Sequence, residues 1–192
     1  NDGTAVTAVA DDGYHFLSWS DNSTDNPRTD ANVTEDITVV ASFAINEYTV
    51  TFVDWGGQVI DTQTVSHGNS ATAPTAPTRE GYTFTSWDVT FDKVTGDITI
   101  TAQYEIKTYT VSFEVGEGST VTSQSVNHGE TATEPSAPER EGYSFVGWYK
   151  DEALKTEFAF ETEITADTTI YAKWDVNTYT LAYTAGENGS IT

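Results

Sequence analysis

The feature that most constrains this chain is that it repeats itself. Residues 79–88 read REGYTFTSWD, and 61 positions later residues 140–151 read REGYSFVGWYKD. A weaker copy, DDGYHFLSWSD, occupies 11–21. The flanking words recur in the same order. EYTVTFVDWGG (47–57) aligns with TYTVSFEVGEG (108–118) and TYTLAYTAGENG (178–189). QTVSHGNSATAPTAPTREGY (63–82) aligns with QSVNHGETATEPSAPEREGY (124–143). DITVVASF (36–43) aligns with DITITAQY (97–104) and DTTIYAKW (167–174). Order kept over such a length marks a small module built in tandem.

The words divide the chain. Residues 47–105 and 106–174 are full repeats. Residues 1–46 hold the C-terminal part of a divergent repeat, and 175–192 the first strand of a further, truncated one. That last strand resembles what the first segment lacks. It could fill the gap in its own molecule, fill it in a neighbour, or hang free. The chain has neither a starting Met nor a signal peptide and reads as a segment of something longer.

Within each repeat the pattern is that of strands. Apolar and polar residues alternate in Tyr48-Thr49-Val50-Thr51-Phe52, in Tyr109-Val111-Phe113 and in Tyr179-Leu181-Tyr183. They alternate again in Ile37-Val39-Ala41-Phe43, Ile98-Ile100-Ala102-Tyr104 and Thr168-Ile170-Ala172-Trp174. A period of two puts one face of a strand in a core and the other in water. Gly-rich links at 55–57 and 116–118 read as hairpins, with second strands ending near Val65 and Val126. His67-Gly68 and His128-Gly129 read as turns. Pro74 and Pro77, and Pro135 and Pro138, break any ladder and favour an extended crossing. The aromatic word is the third strand. Glu152–Glu163 is the best candidate for a single helical turn. Phe43 to Tyr48, Tyr104 to Tyr109 and Trp174 to Tyr179 are each five residues apart. A joint of constant short length favours an elongated, semi-rigid rod and head-to-tail contact between neighbouring repeats.

These words resemble the Listeria–Bacteroides repeat, the B-repeat of internalin-type bacterial surface proteins. YTVSF, QSVNHGETATEPSAPEREGYSFVGWY and TTIYAKW carry the resemblance most closely over 107–174. It extends over 47–105 with a shortened loop and, in divergent form, over 1–46. It implies a mainly β fold of tandem small β-grasp-like modules, similar to ubiquitin-like and mucin-binding repeats. It also implies a secreted or wall-attached protein at the surface of mainly Gram-positive bacteria, the repeats standing between a binding head and the wall. It implies no enzyme, and it brings no catalytic or cofactor residues to carry over.

The residues by themselves point the same way. With 30 acidic and 8 basic residues the formal charge is −22, which repels nucleic acid and anionic lipid. No stretch approaches the ~20 apolar residues of a membrane span. There is no Cys for thiol or disulfide chemistry. His67 and His128 occupy the same turn in sister repeats and read as structural. His15 stands where the sister strands have Thr83 and Ser144, a tolerant, partly exposed position. Among so many acids some pair always has glycosidase spacing, so that criterion decides nothing. No phosphate loop or metal motif is present. The loop SDNSTDNPRTDANVTED (20–36) has oxygen ligands that would suit Ca²⁺ but lacks EF-hand spacing, and a solvated loop is the default reading. Lysines 93, 107, 150, 155 and 173 share no common place, which argues against a repeated isopeptide crosslink. Sequons at Asn22, Asn32 and Asn188 carry no weight in a bacterial chain.

The function expected is a non-catalytic stalk or spacer of a surface adhesin. The alternative is a multivalent binding module for a host glycan, mucin or receptor protein. Contacts for such a ligand would fall on the loop between the aromatic strand and the last strand, which varies most, or on Trp19, Trp87 and Trp148. In each aromatic word Tyr and Phe share one face as core residues and the Trp falls on the other. If the small residue before the Trp (Ser18, Ser86, Gly147) marks a bulge, the Trp turns to the core. If not, it faces solvent, the loop or the next repeat.

Overall fold

The computed structural model describes residues 3–192; residues 1 and 2 of the first segment lie outside the described residues. Strands account for all the regular structure described. They are β1 (Tyr14–Trp19), β2 (Ala41–Ile45), β3 (Glu47–Val53), β4 (Val59–Ser66), β5 (Tyr82–Trp87), β6 (Ile98–Ile106), β7 (Thr108–Glu114), β8 (Gln124–Asn127), β9 (Tyr143–Tyr149) and β10 (Thr168–Val176). The chain forms two compact units. One runs up to Arg79 and takes in Thr83–Glu105; the other joins Glu80–Tyr82 to Ile106–Thr192.

Each full repeat builds one four-stranded sheet, ordered β4-β3-β6-β5 in the first and β8-β7-β10-β9 in the second. The central pair is parallel in both, with Val50 opposite Ile98 and Val111 opposite Thr168. The hairpins β3–β4 and β7–β8 and the outer pair β9–β10 are antiparallel. A parallel pair requires a long crossover. Here it runs through the Pro-rich segment and the aromatic strand, which makes the sheet β-grasp-like with an extended crossing where a helix could have run.

The predicted alternation sets the core. Val50, Phe52 and Ile100 are wholly buried in the first full repeat, as are Val111 and Ile170 in the second. Burying side chains of this size contributes about 1.5–3 kcal/mol each. Polar words repeat because their hydrogen bonds repeat. The carboxylates of Asp97 and Asp167 accept the amides of Thr49 and Thr110, both at 2.8 Å. Gln63 exchanges two hydrogen bonds with the backbone of Thr72, and Gln124 does the same with Thr133.

Several readings from sequence need correction. The half-buried strand read from Ile37 to Phe43 is a strand only over Ala41–Ile45, and Ile37 and Phe43 are exposed. Residues 152–163 form no helical turn. The Asp151 carboxylate takes the amides of Lys155 and Thr156, Leu154 sits at φ 54°, and the loop returns as bridges of Glu157 with Tyr149 and Glu163 with Thr131. Half-buried Phe158 and Phe160 pack against the core from this loop. The Tyr of the aromatic word is not core: Tyr82 and Tyr143 are half-buried and Tyr14 is exposed. The terminal strand expected at 175–192 does not fill the gap in its own molecule, since among the described residues no strand pairs with it. Tyr179, Leu181 and Tyr183 are exposed and 177–192 form no strand. A strand gains its burial from a partner edge, and among the described residues none pairs with this segment.

Candidate functional site

The aromatic word is bent by a bulge. In β1 the register against β2 shifts between Phe16 and Ser18, and in β9 Phe145 and Gly147 face adjacent residues of β10. The extra residue is Leu17 or Val146, one place before the small residue, and both project to solvent. The bulge puts Phe and Trp on one face. Ring centroids lie 5.5 Å apart for Phe16–Trp19, 5.5 Å for Phe84–Trp87 and 5.2 Å for Phe145–Trp148. Trp19 and Trp148 are buried, at 6% and 3% exposure. Trp87 is half-buried against Phe52 and Phe84. Trp19 donates from Nε1 to the Asp25 carbonyl, whereas Trp148 Nε1 is buried without a partner. Of the three candidate contacts, Trp87 therefore offers a ligand the most accessible edge.

The histidines build the joints. The linker residues Asn46 and Lys107 each donate an amide hydrogen bond to the carbonyl of the preceding turn glycine, Gly13 or Gly81, at 2.8 Å. Each accepts one from the next turn histidine, His67 or His128, also at 2.8 Å. The imidazoles lie directly over the glycines. A Cβ placed on Gly13 would fall 2.5 Å from His67 Cγ and closer still to Cδ2. One on Gly81 would fall 2.6 Å from His128 Cγ, again with Cδ2 closer. Each ring also meets the first-strand Tyr at the same angle: Tyr48–His67 at 6.0 Å and Tyr109–His128 at 5.9 Å, both 53°. The linker side chain reaches back as well: Asn46 bonds His15, and Asn177 bonds Ser144. His15, His67 and His128 thus serve packing and hydrogen bonding at joints: His15 and His67 both bond the linker residue Asn46, and His128 stands at the next joint.

The acid-rich loop 20–36 closes around one cation. Arg28 lies 2.8 Å from Asp21, forms a two-pronged hydrogen bond to Asp30, and stacks 5.7 Å from the Trp19 ring. The Arg28 guanidinium holds the Asp21 and Asp30 carboxyls below the usual carboxylate range. Asn26 exchanges two hydrogen bonds with the backbone of Ala8. The oxygens that suggested calcium are in part committed to the chain's own Arg28 and backbone.

Sequence reasoning missed one feature, a difference between the sister repeats. In the first, Trp55 projects from the β3–β4 hairpin onto Tyr104, 5.4 Å away at 84°, and the Arg79 guanidinium covers it at 5.1 Å. Burial, and behind it the Asp54 charge, raises the Tyr104 pKa; its hydroxyl donates to the Pro77 carbonyl at 2.5 Å. The second repeat has Gly116 where Trp55 would stand, Arg140 for Arg79 and Trp174 for Tyr104. There the aromatic plug is gone, and an open groove of about 650 Å³ lies among Gly116, Arg140, Tyr143 and Trp174. Arg140 stacks 3.9 Å from the Tyr143 ring, and Trp174 Nε1 donates to the Val115 carbonyl. The signal was present in the aligned words VDWGG and EVGEG.

Comparison with known proteins agrees with this architecture. The model of the Listeria-Bacteroides repeat domain matches residues 48–103 and 109–173, and that of the divergent InlB B-repeat domain matches 1–47. A protein of Evansella cellulosilytica named "Putative Gly-rich membrane protein" is 34% identical over 206 residues, spanning 98% of this chain and 24% of its own length. A second from that organism, named "Putative membrane protein", is 36% identical over 193 residues, or 93% of this chain and 29% of its own. Internalin H of Listeria monocytogenes is 39% identical over 117 residues, or 54% of this chain and 21% of its own. The chain thus spans about a quarter of the length of these relatives. No helix among the described residues is long and apolar enough to cross a membrane. Ordered words, paired sheets and matched sequence lead to one conclusion: this chain belongs to the Listeria-Bacteroides repeat family, with a divergent InlB B-repeat at its N-terminal side.

Proposed function

We propose that the chain is a non-catalytic spacer within a bacterial surface protein, holding other parts of that protein away from the cell wall. One observation carries the reading. The same joint, with the same glycine, linker amide and histidine, occurs twice with hydrogen bonds of equal length and ring angles of 53°. A flexible tether has no use for such a joint, because reach through a random coil needs only length. A spacer that must transmit distance does. The acidic surface supports the same role by keeping neighbouring copies apart.

The test is the scaling of end-to-end distance in arrays of two, four and eight full repeats, labelled at both ends and measured by single-molecule energy transfer or by scattering. The spacer reading expects distance to grow in proportion to repeat number. Growth with roughly the square root of the number, as in flexible linkers, would refute it.

A further inference from the structure

We infer that the groove of the second full repeat is a binding site for a neutral pyranose sugar, a site the first repeat does not have. Two independent departures from the sister repeat converge on it. Trp55, which plugs this place in the first repeat, is replaced by Gly116. The variable loop, short in the first repeat, is longer here and supplies Glu152 and Leu154 to the groove wall. Two substitutions on strands add to the same lining: Glu114 stands for Val53 and Tyr171 for Thr101. These four differences meet around one groove. Its volume of about 650 Å³ is in the range of small-molecule sites.

The chemistry of the walls selects the occupant. The sister repeat shows that a flat ring fits against these partners, since Trp55 packs there on Tyr104 and Arg79. A pyranose offers a flat C–H face of similar size for Trp174. Its hydroxyls donate to the carboxylates of Glu114 and Glu152 and accept from the guanidinium of Arg140. An aromatic side chain would match the rings but leave both carboxylates without a role. A cation would match the carboxylates but meet Arg140. An anionic sugar would meet two glutamates on a chain of net charge −22. A neutral polyhydroxylated ring uses donors, acceptors and rings together. All of these residues lie in one compact unit.

The experiment is a titration of the full chain, ¹⁵N-labelled, with methyl glucopyranoside, methyl galactopyranoside, methyl mannopyranoside and their trisaccharides, with sialic acid and N-acetyltryptophanamide in parallel. Saturable shifts are expected at Trp174 Nε1–H, Gly116 and Tyr171, with Kd on the order of 1 mM for a single ring, and no saturable shifts at Trp55 or Tyr104. Glu114→Val installs the residue the sister repeat carries. Glu152→Gln lies on an exposed loop and leaves the core untouched. Each is expected to weaken sugar binding by about tenfold, with shifts elsewhere in the spectrum unchanged. Silence toward every neutral sugar overturns the inference. So does sugar binding that neither variant weakens, or tighter binding of sialic acid. Tighter binding of N-acetyltryptophanamide overturns it in favour of an aromatic side-chain pocket.

Discussion

The joint can be tested through its glycines, because the chain contains its own control. Gly13, Gly81 and Gly142 are the same residue in three copies of the word, with φ of 79°, 72° and 78°. Gly13 and Gly81 are buried beneath a histidine; Gly142 is exposed, with nothing within 4 Å of the place a Cβ would take. Gly→Ala at any of them forces a left-handed backbone on a residue with a Cβ, costing about 1–2 kcal/mol. At Gly81 the methyl would also lie 2.6 Å from His128 Cγ, so the ring or the joint must move. Overpacking of this kind adds about 1–3 kcal/mol. Gly81→Ala is therefore expected to cost roughly 2–5 kcal/mol and Gly142→Ala only about 1–2 kcal/mol. In a His128→Ala background the excess at Gly81 should vanish, giving a coupling of about 1–3 kcal/mol between the two sites. The assay is urea denaturation, with amide exchange assigning the loss to a repeat. Equal costs at Gly81 and Gly142, or an excess that survives His128→Ala, would refute the argument that histidine on glycine holds the joint.

The remaining expectations concern the core, the bulge and pH. Ile100→Ala and Ile170→Ala, both at wholly buried sites, should each cost about 2–5 kcal/mol by denaturant titration, whereas Leu17→Ser and Val146→Ser at the outward bulge positions should stay within about 0.5 kcal/mol. Trp148→Phe removes a buried indole N–H that has no partner, recovering a desolvation cost of about 1–3 kcal/mol against the lost ring contacts; it should cost far less than the roughly 3–5 kcal/mol of Trp148→Ala in the same assay. Asp21 and Asp30 have folded pKa values below the ordinary 3.8, so their pairing with Arg28 stabilises fully above that value and is lost as the pH falls through the lowered values. Melting of the first segment should therefore fall more steeply below about pH 4 in the native chain than in Asp21→Asn/Asp30→Asn, and parallel acid profiles would count against this.

Recurrence of the aromatic word shows that it belongs to the fold, yet recurrence cannot say which ring is inside. The period of two places Phe145 and Trp148 on opposite faces, and only the bulge reverses that. Its position, at Leu17 and Val146, lay one residue from the small residue that suggested it. The Tyr of the word was expected inside because large rings usually bury; Tyr14 is instead exposed, and Tyr143 is half-buried beneath Arg140. Residues 152–163 were the best candidate for a single helical turn, but the Asp151 carboxylate takes the amides of Lys155 and Thr156 instead.

What the sequence determined alone is the strands of the two full repeats and the inward face of β3, β6, β7 and β10. These follow from alternation and recurrence, which are properties of neighbouring residues along the chain. Tertiary structure decided which Trp is sealed, how His67 and His128 lock onto glycines more than 45 positions earlier, and why one repeat is plugged by Trp55 and the next left open at Gly116. Those outcomes depend on contacts between distant segments and on a one-residue bulge that turns every side chain beyond it to the other face.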